Sequence, residues 1–329
     1  MRISPLARMG ILAACLTAAG MQPAFGAGSC GPGALGVSRV AAIDATGGPR
    51  YGHLQYRDHD FLKKGEVVLT FDDGPLRRHT RRVLDALAAH CTRGTFFLVG
   101  RMAVSDPTTA KEIAAKGHTI ATHTWSHKNI RALSAGSAEK EMELGISAIQ
   151  MAIGKPIAPF FRFPYLADSK SALEALQKRN IAVFSIDIDA RDYKTGSASQ
   201  VRHNIMSQLA SKGKGIILFH DIQGSTANAI SDVLSDLKAK NYRIVHIVAK
   251  QPTTTVASYD EAASRLLAGK PSGLAMASAS TRRSGVVAPV KPVYTVDEPR
   301  KPEVSEVGTQ PAPRSQPSPD WRLSVFNSD

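Results

Sequence analysis

The chain has 329 residues, with 41 Lys and Arg against 28 Asp and Glu, a formal net charge of +13 and 43% apolar residues. That length admits one large domain or two small ones, and the apolar content is ordinary for a globular protein. The basic excess favours anionic partners, but no basic stripe carries the aromatic residues that would stack bases, which argues against a nucleic-acid binder.

In chain order, the first segment reads as an export signal, 1–26. Arg2 and Arg8 form a basic start, an apolar stretch follows over 9–21, and Ala24-Phe25-Gly26 supplies small residues for cleavage. The stretch is too short for a membrane span, so the mature chain is expected to be periplasmic or secreted, with no transmembrane segment. Leu12-Ala13-Ala14-Cys15 also resembles a lipoprotein signal; it ranks second, because little apolar sequence separates Arg8 from Cys15. After removal of the signal, Cys30 and Cys91 remain, and they read either as a disulfide or as two buried thiols. Residues 27–64 are rich in Gly, Pro and charge and read as an irregular arm.

From residue 65 the pattern is regular. Apolar runs at 67–71, 95–99, 119–122, 160–163, 181–186, 216–219 and 242–247 read as buried strands. Helical faces lie between most of them: Val83, Leu84, Leu87 and Ala88; Met142, Ile146, Ile149 and Ile153; Leu173 and Leu176; Val233, Leu234 and Leu237. Alternating apolar strands and helices imply a parallel sheet covered by helices. About seven units suggest a distorted (β/α) barrel, with a doubly wound sheet as runner-up. The cluster Arg77, Arg78, Arg81 and Arg82 reads as a solvated basic face, with association to an anionic envelope surface as the functional alternative. Over 251–329, Pro, Ala, Ser and Thr dominate; the segment reads as a largely disordered spacer with a helix near 260–267.

Ionisable residues recur where strands end. Asp72 and Asp73 stand in Thr70-Phe71-Asp72-Asp73-Gly74-Pro75. Adjacent carboxylates resist joint ionisation unless a cation compensates them, which suggests that one holds a metal and the other moves a proton. His123 and His127 follow the third strand. Their i, i+4 spacing is read as two imidazoles on one face of a helical turn. Arg162-Phe163-Pro164-Tyr165, Asp189-Ala190-Arg191-Asp192-Tyr193 and His220-Asp221 close the next three strands. Each alone has a plain account as a turn, a solvated loop or a cap. Together they put five sets of ionisable groups at strand ends that a barrel must gather at one face. One Asp and two His leave positions open on a metal, the arrangement of a hydrolytic site.

These residues resemble the polysaccharide deacetylase family, the NodB-homology domain of family 4 carbohydrate esterases. Its five motifs occur in order between 66 and 248: Thr70-Phe-Asp-Asp-Gly74, His123-Thr-Trp-Ser-His127, Arg162-Phe-Pro-Tyr165, Asp189-Ala-Arg-Asp192-Tyr193 and Leu218-Phe-His220-Asp221. The resemblance implies a catalytic domain over 65–250 that removes acetyl groups from N-acetylated, or O-acetylated, sugars of a polysaccharide or oligosaccharide. It implies a divalent metal, zinc first, with cobalt or nickel as alternatives. Asp73, His123 and His127 would hold the metal. Asp72 would be the base and Arg162 its partner. His220 would be the acid, oriented by Asp192. The backbone N–H of Tyr165 would meet the oxyanion, and Leu218 would line the acetyl pocket with Tyr193 beside it. Tyr193 stands where the family usually has Trp, and Phe163 and Leu166 also depart from the family pattern; these differences bear on pocket shape. Three other readings remain: a metal-dependent amidohydrolase acting on a small amide, a non-catalytic polysaccharide-binding protein of the same fold, and a structural wall-associated protein anchored through its Pro-rich tail.

Overall fold

The computed structural model describes residues 34–269. The export signal, Cys15, Cys30 and the tail from 270 onward lie outside the described residues. The first half of the fold contains β1 (Arg39–Ile43), β2 (Arg50–Tyr51), β3 (Glu66–Asp72), α1 (Arg77–Ala89), β4 (Thr95–Leu98), α2 (Gly100–Ser105), α3 (Pro107–Ala115), β5 (Thr119–Thr122) and α4 (Ala135–Ile153). The second half contains β6 (Phe160–Phe161), α5 (Lys170–Lys178), β7 (Ala182–Phe184), β8 (Ile188–Asp189), α6 (Ala198–Lys212), β9 (Gly215–His220), α7 (Gly224–Ala239), β10 (Arg243–Ala249) and α8 (Ala257–Ala268).

The described ladders are parallel, as expected for strands joined by helices. Strands β8, β9, β3, β4, β5, β6, β7 and β2 lie side by side in that order. Strand β10 pairs with the first two residues of β3 and carries β1 on its other side. The curve closes covalently. After β7 the chain bends through Ser185, Ile186 and Asp187 and re-enters at β8, beside β9 at the other edge. The sequence reads 181–186 as one strand because its apolar run is interrupted only by Ser185. The bend is set by Asp187, whose backbone N–H donates to the Ile216 carbonyl (2.9 Å) and whose Oδ2 accepts from the Ile216 N–H (2.7 Å).

Period-two alternation sorts the strand residues into two cores. Val67, Leu69 and Phe71 pack outward against Val83, Leu84 and Leu87 of α1. Val68 turns inward among Phe97, Phe160, Phe184 and Ile216, so the barrel interior is filled with side chains. Asp72 continues the inward column of Val68 and Thr70, and this parity carries its carboxylate over the mouth.

The arm and the start of the tail are more ordered than their sequences imply. Arg39–Ile43 forms a parallel strand, yet Val40 is 55% exposed, so the segment shows little apolar contrast. Helix α8 starts and ends slightly beyond the expected 260–267. Its Ala263 packs with Val104, Leu144 and Ala148, which brings residues past 250 into the folded body. Among the described residues no helix is long and apolar enough to cross a membrane.

Candidate active site

Strand register aligns the chemistry. Asp72 pairs with His220 on β9 and with Phe97 on β4, so base and imidazole candidates emerge at one level. At Asp73 the backbone turns left-handed (φ 76°), which separates the second carboxylate from the strand's alternation. Left-handed backbone recurs around the mouth at Thr124 (φ 72°), His127 (61°), Tyr165 (60°), Leu166 (55°) and Arg191 (52°). Residues other than glycine adopt this region at a cost, and they tend to collect at functional sites. Gly74 follows Asp73 because a side chain there would collide with the Asp221 carboxylate.

Asp73, His123 and His127 form a buried group whose three ligand-type atoms lie within 4.8 Å of one another. His127 Nε2 is 3.0 Å and His123 Nε2 is 3.5 Å from Asp73 Oδ1. Two ligands at zinc distances of about 2.1 Å in tetrahedral geometry sit roughly 3.4 Å apart, so this donor set suits a small divalent cation. His123 Nδ1 lies 2.7 Å from the Arg162 carbonyl, which fixes the tautomer with Nε2 as the lone-pair nitrogen. Burial holds the His123 imidazolium well below its ordinary value, so the ring stays neutral and able to ligate.

The two histidines do not share a helical turn. Residues 123–129 form an irregular loop after β5, and the left-handed Thr124 and His127 fold it back so that the rings meet at 4.8 Å. Helix α4 holds this loop. Glu141 accepts from the Ser126 N–H (2.8 Å) and Ser126 Oγ (2.6 Å), while its own carbonyl accepts from Trp125 N–H (2.7 Å). Gly145 lets the helix approach, since a Cβ there would lie 2.6 Å from the Thr124 carbonyl carbon. Nothing local in the sequence points to Glu141 or Gly145.

Arg162 is fully buried and donates from Nη1 to Asp72 Oδ1 (2.7 Å) and to Thr70 Oγ1 (2.8 Å). Its remaining nitrogens reach the carbonyls of Phe184 and Ser185 (3.2 Å each), and its guanidinium lies 4.3 Å from the Phe97 ring centre. Burial pushes the Asp72 carboxyl up to about 6, with the Arg162 charge opposing it. Burial also raises Asp73, but the His127 imidazole overcomes this and brings it below the usual carboxylate range. His220 Nδ1 is 2.7 Å from Asp192 Oδ1, and Asp192 Oδ2 accepts from the His220 N–H (2.7 Å) and from Thr226 Oγ1. Burial opposes the charged imidazole, yet Asp192 prevails and His220 is pushed up to about 10.

Tyr165 is 57% exposed, with its ring edge-on to His127 at 4.9 Å. Tyr193 is 44% exposed, with its ring edge-on to His220 at 5.4 Å. Leu218 lies on the inward parity of β9, two residues before His220. The sequence thus selects residues that the fold brings to one mouth. Asp221 is absent from that reading as a supporting group. It is fully buried, accepts from Thr80 Oγ1 and is pushed up to about 7 by burial. Cys91 is disulfide-bonded, and the chain's other cysteines, Cys15 and Cys30, lie outside the described residues.

The fold is a parallel α/β barrel whose mouth carries a candidate cation site. The sequence profile of the polysaccharide deacetylase family matches residues 60–184. The chain is 33% identical over 155 residues to a chitooligosaccharide deacetylase of Sinorhizobium fredii, covering 47% of this chain and 71% of the relative. It is 32% identical over 187 residues to a peptidoglycan-N-acetylglucosamine deacetylase of Bacillus cereus, covering 55% and 66%. A solved Bdellovibrio bacteriovorus peptidoglycan deacetylase aligns with TM-score 0.60 and 30% identity, covering 67% of this chain and 61% of that one. The chain therefore spans less than two thirds of the Bacillus and Bdellovibrio proteins. It belongs to the polysaccharide deacetylase family.

Proposed function

We propose that this chain is an exported, metal-dependent deacetylase that hydrolyses N-acetyl groups on the amino sugars of a wall polymer or chitin-like oligomer. The observation that carries this reading is the buried Asp73, His123 and His127 group beside an arginine-held Asp72. Asp73, His123 and His127 would hold a divalent cation, zinc by donor chemistry, with cobalt or nickel as alternatives. Once bound, that cation acidifies water and polarises the amide carbonyl.

The chain's own residues supply the rest. Asp72 takes the proton of the attacking water, and Arg162 keeps its carboxylate ionised and aimed. The Tyr165 backbone N–H stabilises charge on the carbonyl oxygen. His220, charged through Asp192, gives a proton to the departing amine. Leu218 and Tyr193 shape the acetyl pocket. The net result is a broken C–N bond, with acetate and a free amine as products.

Acetate release from peptidoglycan and from chitooligosaccharides, before and after metal stripping, tests the reading. Turnover should vanish with the metal and return with zinc. Cleavage of small amides with no acetate from any sugar polymer would overturn it.

A further inference from the structure

The arm loop over 52–56 precedes the stretch that matches the family profile, and it presses against the mouth. Gly52 (φ 97°) lies so close that a Cβ would be 2.5 Å from the Ser185 carbonyl carbon. The N–H of Leu54 donates to the Ile186 carbonyl (3.0 Å), and that of Tyr56 donates to the Gly52 carbonyl (2.9 Å), which tightens the loop. The Gln55 amide then bridges two parts of the mouth. Its Oε1 accepts from Ser185 Oγ (2.8 Å), and its Nε2 donates to the Leu166 carbonyl (2.8 Å). Next to it, Tyr56 OH donates to Asp168 Oδ2 (2.6 Å), and Asp168 pairs with Arg131 (3.2 Å). One short loop therefore grips 166 and 168.

Tyr165 and Leu166 are consecutive left-handed residues inside a single turn of 3-10 helix, Pro164–Leu166. Two such residues together are costly, and something outside the turn must hold them. The N–H of Leu166 donates to the Phe163 carbonyl (3.0 Å), which closes the turn from within. Gln55 holds its outer carbonyl. Ser185 orients the amide, because a hydroxyl proton directed at Oε1 leaves Nε2 facing Leu166.

We infer that Gln55 is a positioning residue for the Tyr165–Leu166 turn, and that the arm thereby sets the aim of the Tyr165 N–H at the developing oxyanion. This rests on the proposed deacetylase reaction. A donor shifted by a fraction of an ångström fails mainly in the transition state, so the effect belongs in kcat.

Gln55→Glu tests this directly, because it keeps the shape and the Ser185 contact but removes the donor to Leu166. With the metal-loaded full chain, Q55E and Q55A should each lower kcat by about ten- to hundredfold, with KM within about twofold. Their melting temperatures should stay close to the wild type, since Gln55 is an exposed side chain. Ser185→Ala should lower kcat in the same direction by a smaller factor. The S185A/Q55A pair should lose no more than Q55A alone, because both act through one amide. A crystal structure of Q55E should show Tyr165 and Leu166 displaced from their left-handed geometry. If wild type is active and Q55E matches it, or if Q55A is impaired while Q55E is not, the inference falls alone. If wild type releases no acetate from any sugar polymer, the deacetylase reading fails and takes the inference with it.

Discussion

At Asp72 two environmental effects compete. Burial favours the protonated acid and Arg162 favours the carboxylate. Asp72→Asn should leave cation binding near wild type, since Asp73 and the two histidines are untouched, and should remove at least about 99% of turnover, as expected for loss of a general base. Metal content after dialysis and single-substrate kinetics check both halves. His220 gives a signed pH prediction. Its proton is held up to about 10 by Asp192, against an ordinary imidazole value of 6.5. A group raised on folding stabilises the native state fully below 6.5, and that contribution is lost as pH rises through about 10. Activity that needs protonated His220 should fall on the same alkaline side. Asp192→Asn removes the supporting charge, so the alkaline limb of kcat/KM should move down by more than about one pH unit. An unmoved limb would dissociate His220 from the acid role.

Among the elements, α4 acts as the platform of the histidine loop. Gly145→Ala forces a Cβ against Thr124, which should cost about 1–3 kcal/mol and weaken zinc affinity in a metal titration. Gly136→Ala, on the same helix with nothing within 4 Å, should raise stability slightly and leave the metal alone. The strand pattern was legible in the sequence wherever both faces of a strand are buried, because apolar runs such as Val67-Val68-Leu69 then have no polar interruption. Strands β1, β2 and β8 were not legible: β1 has one buried residue, and the other two contribute two residues each. The candidate site was legible as ionisable groups at strand ends, since barrel topology must gather them. The geometry of His123 and His127 was not. Side-chain spacing predicts a shared face only within a regular helix, and the two left-handed residues that replace it leave no signal in residue type. The supports Glu141, Thr226 and Gln55 were equally hidden, because each lies far along the chain from the group it holds.

For the molecule as a whole, the disulfide at Cys91 bears on stability. A non-reducing peptide map should recover Cys30 linked to Cys91, and reduction should lower the melting temperature, since a disulfide typically contributes about 2–4 kcal/mol. Linkage to Cys15 instead would mean that the leader stays attached. The bend over residues 185–187, which closes the barrel, also bears on the chemistry. Phe184 and Ser185 lend their carbonyls to Arg162, and Asp187 clasps Ile216 through the neighbouring peptide. The line along which the cylinder is stitched thus runs directly behind Asp72, the carboxylate proposed as the base. Mild heating that loosens this stitching should extinguish acetate release while far-ultraviolet circular dichroism still reports a full complement of helices, with the Ile216 amide among the first core protons to exchange.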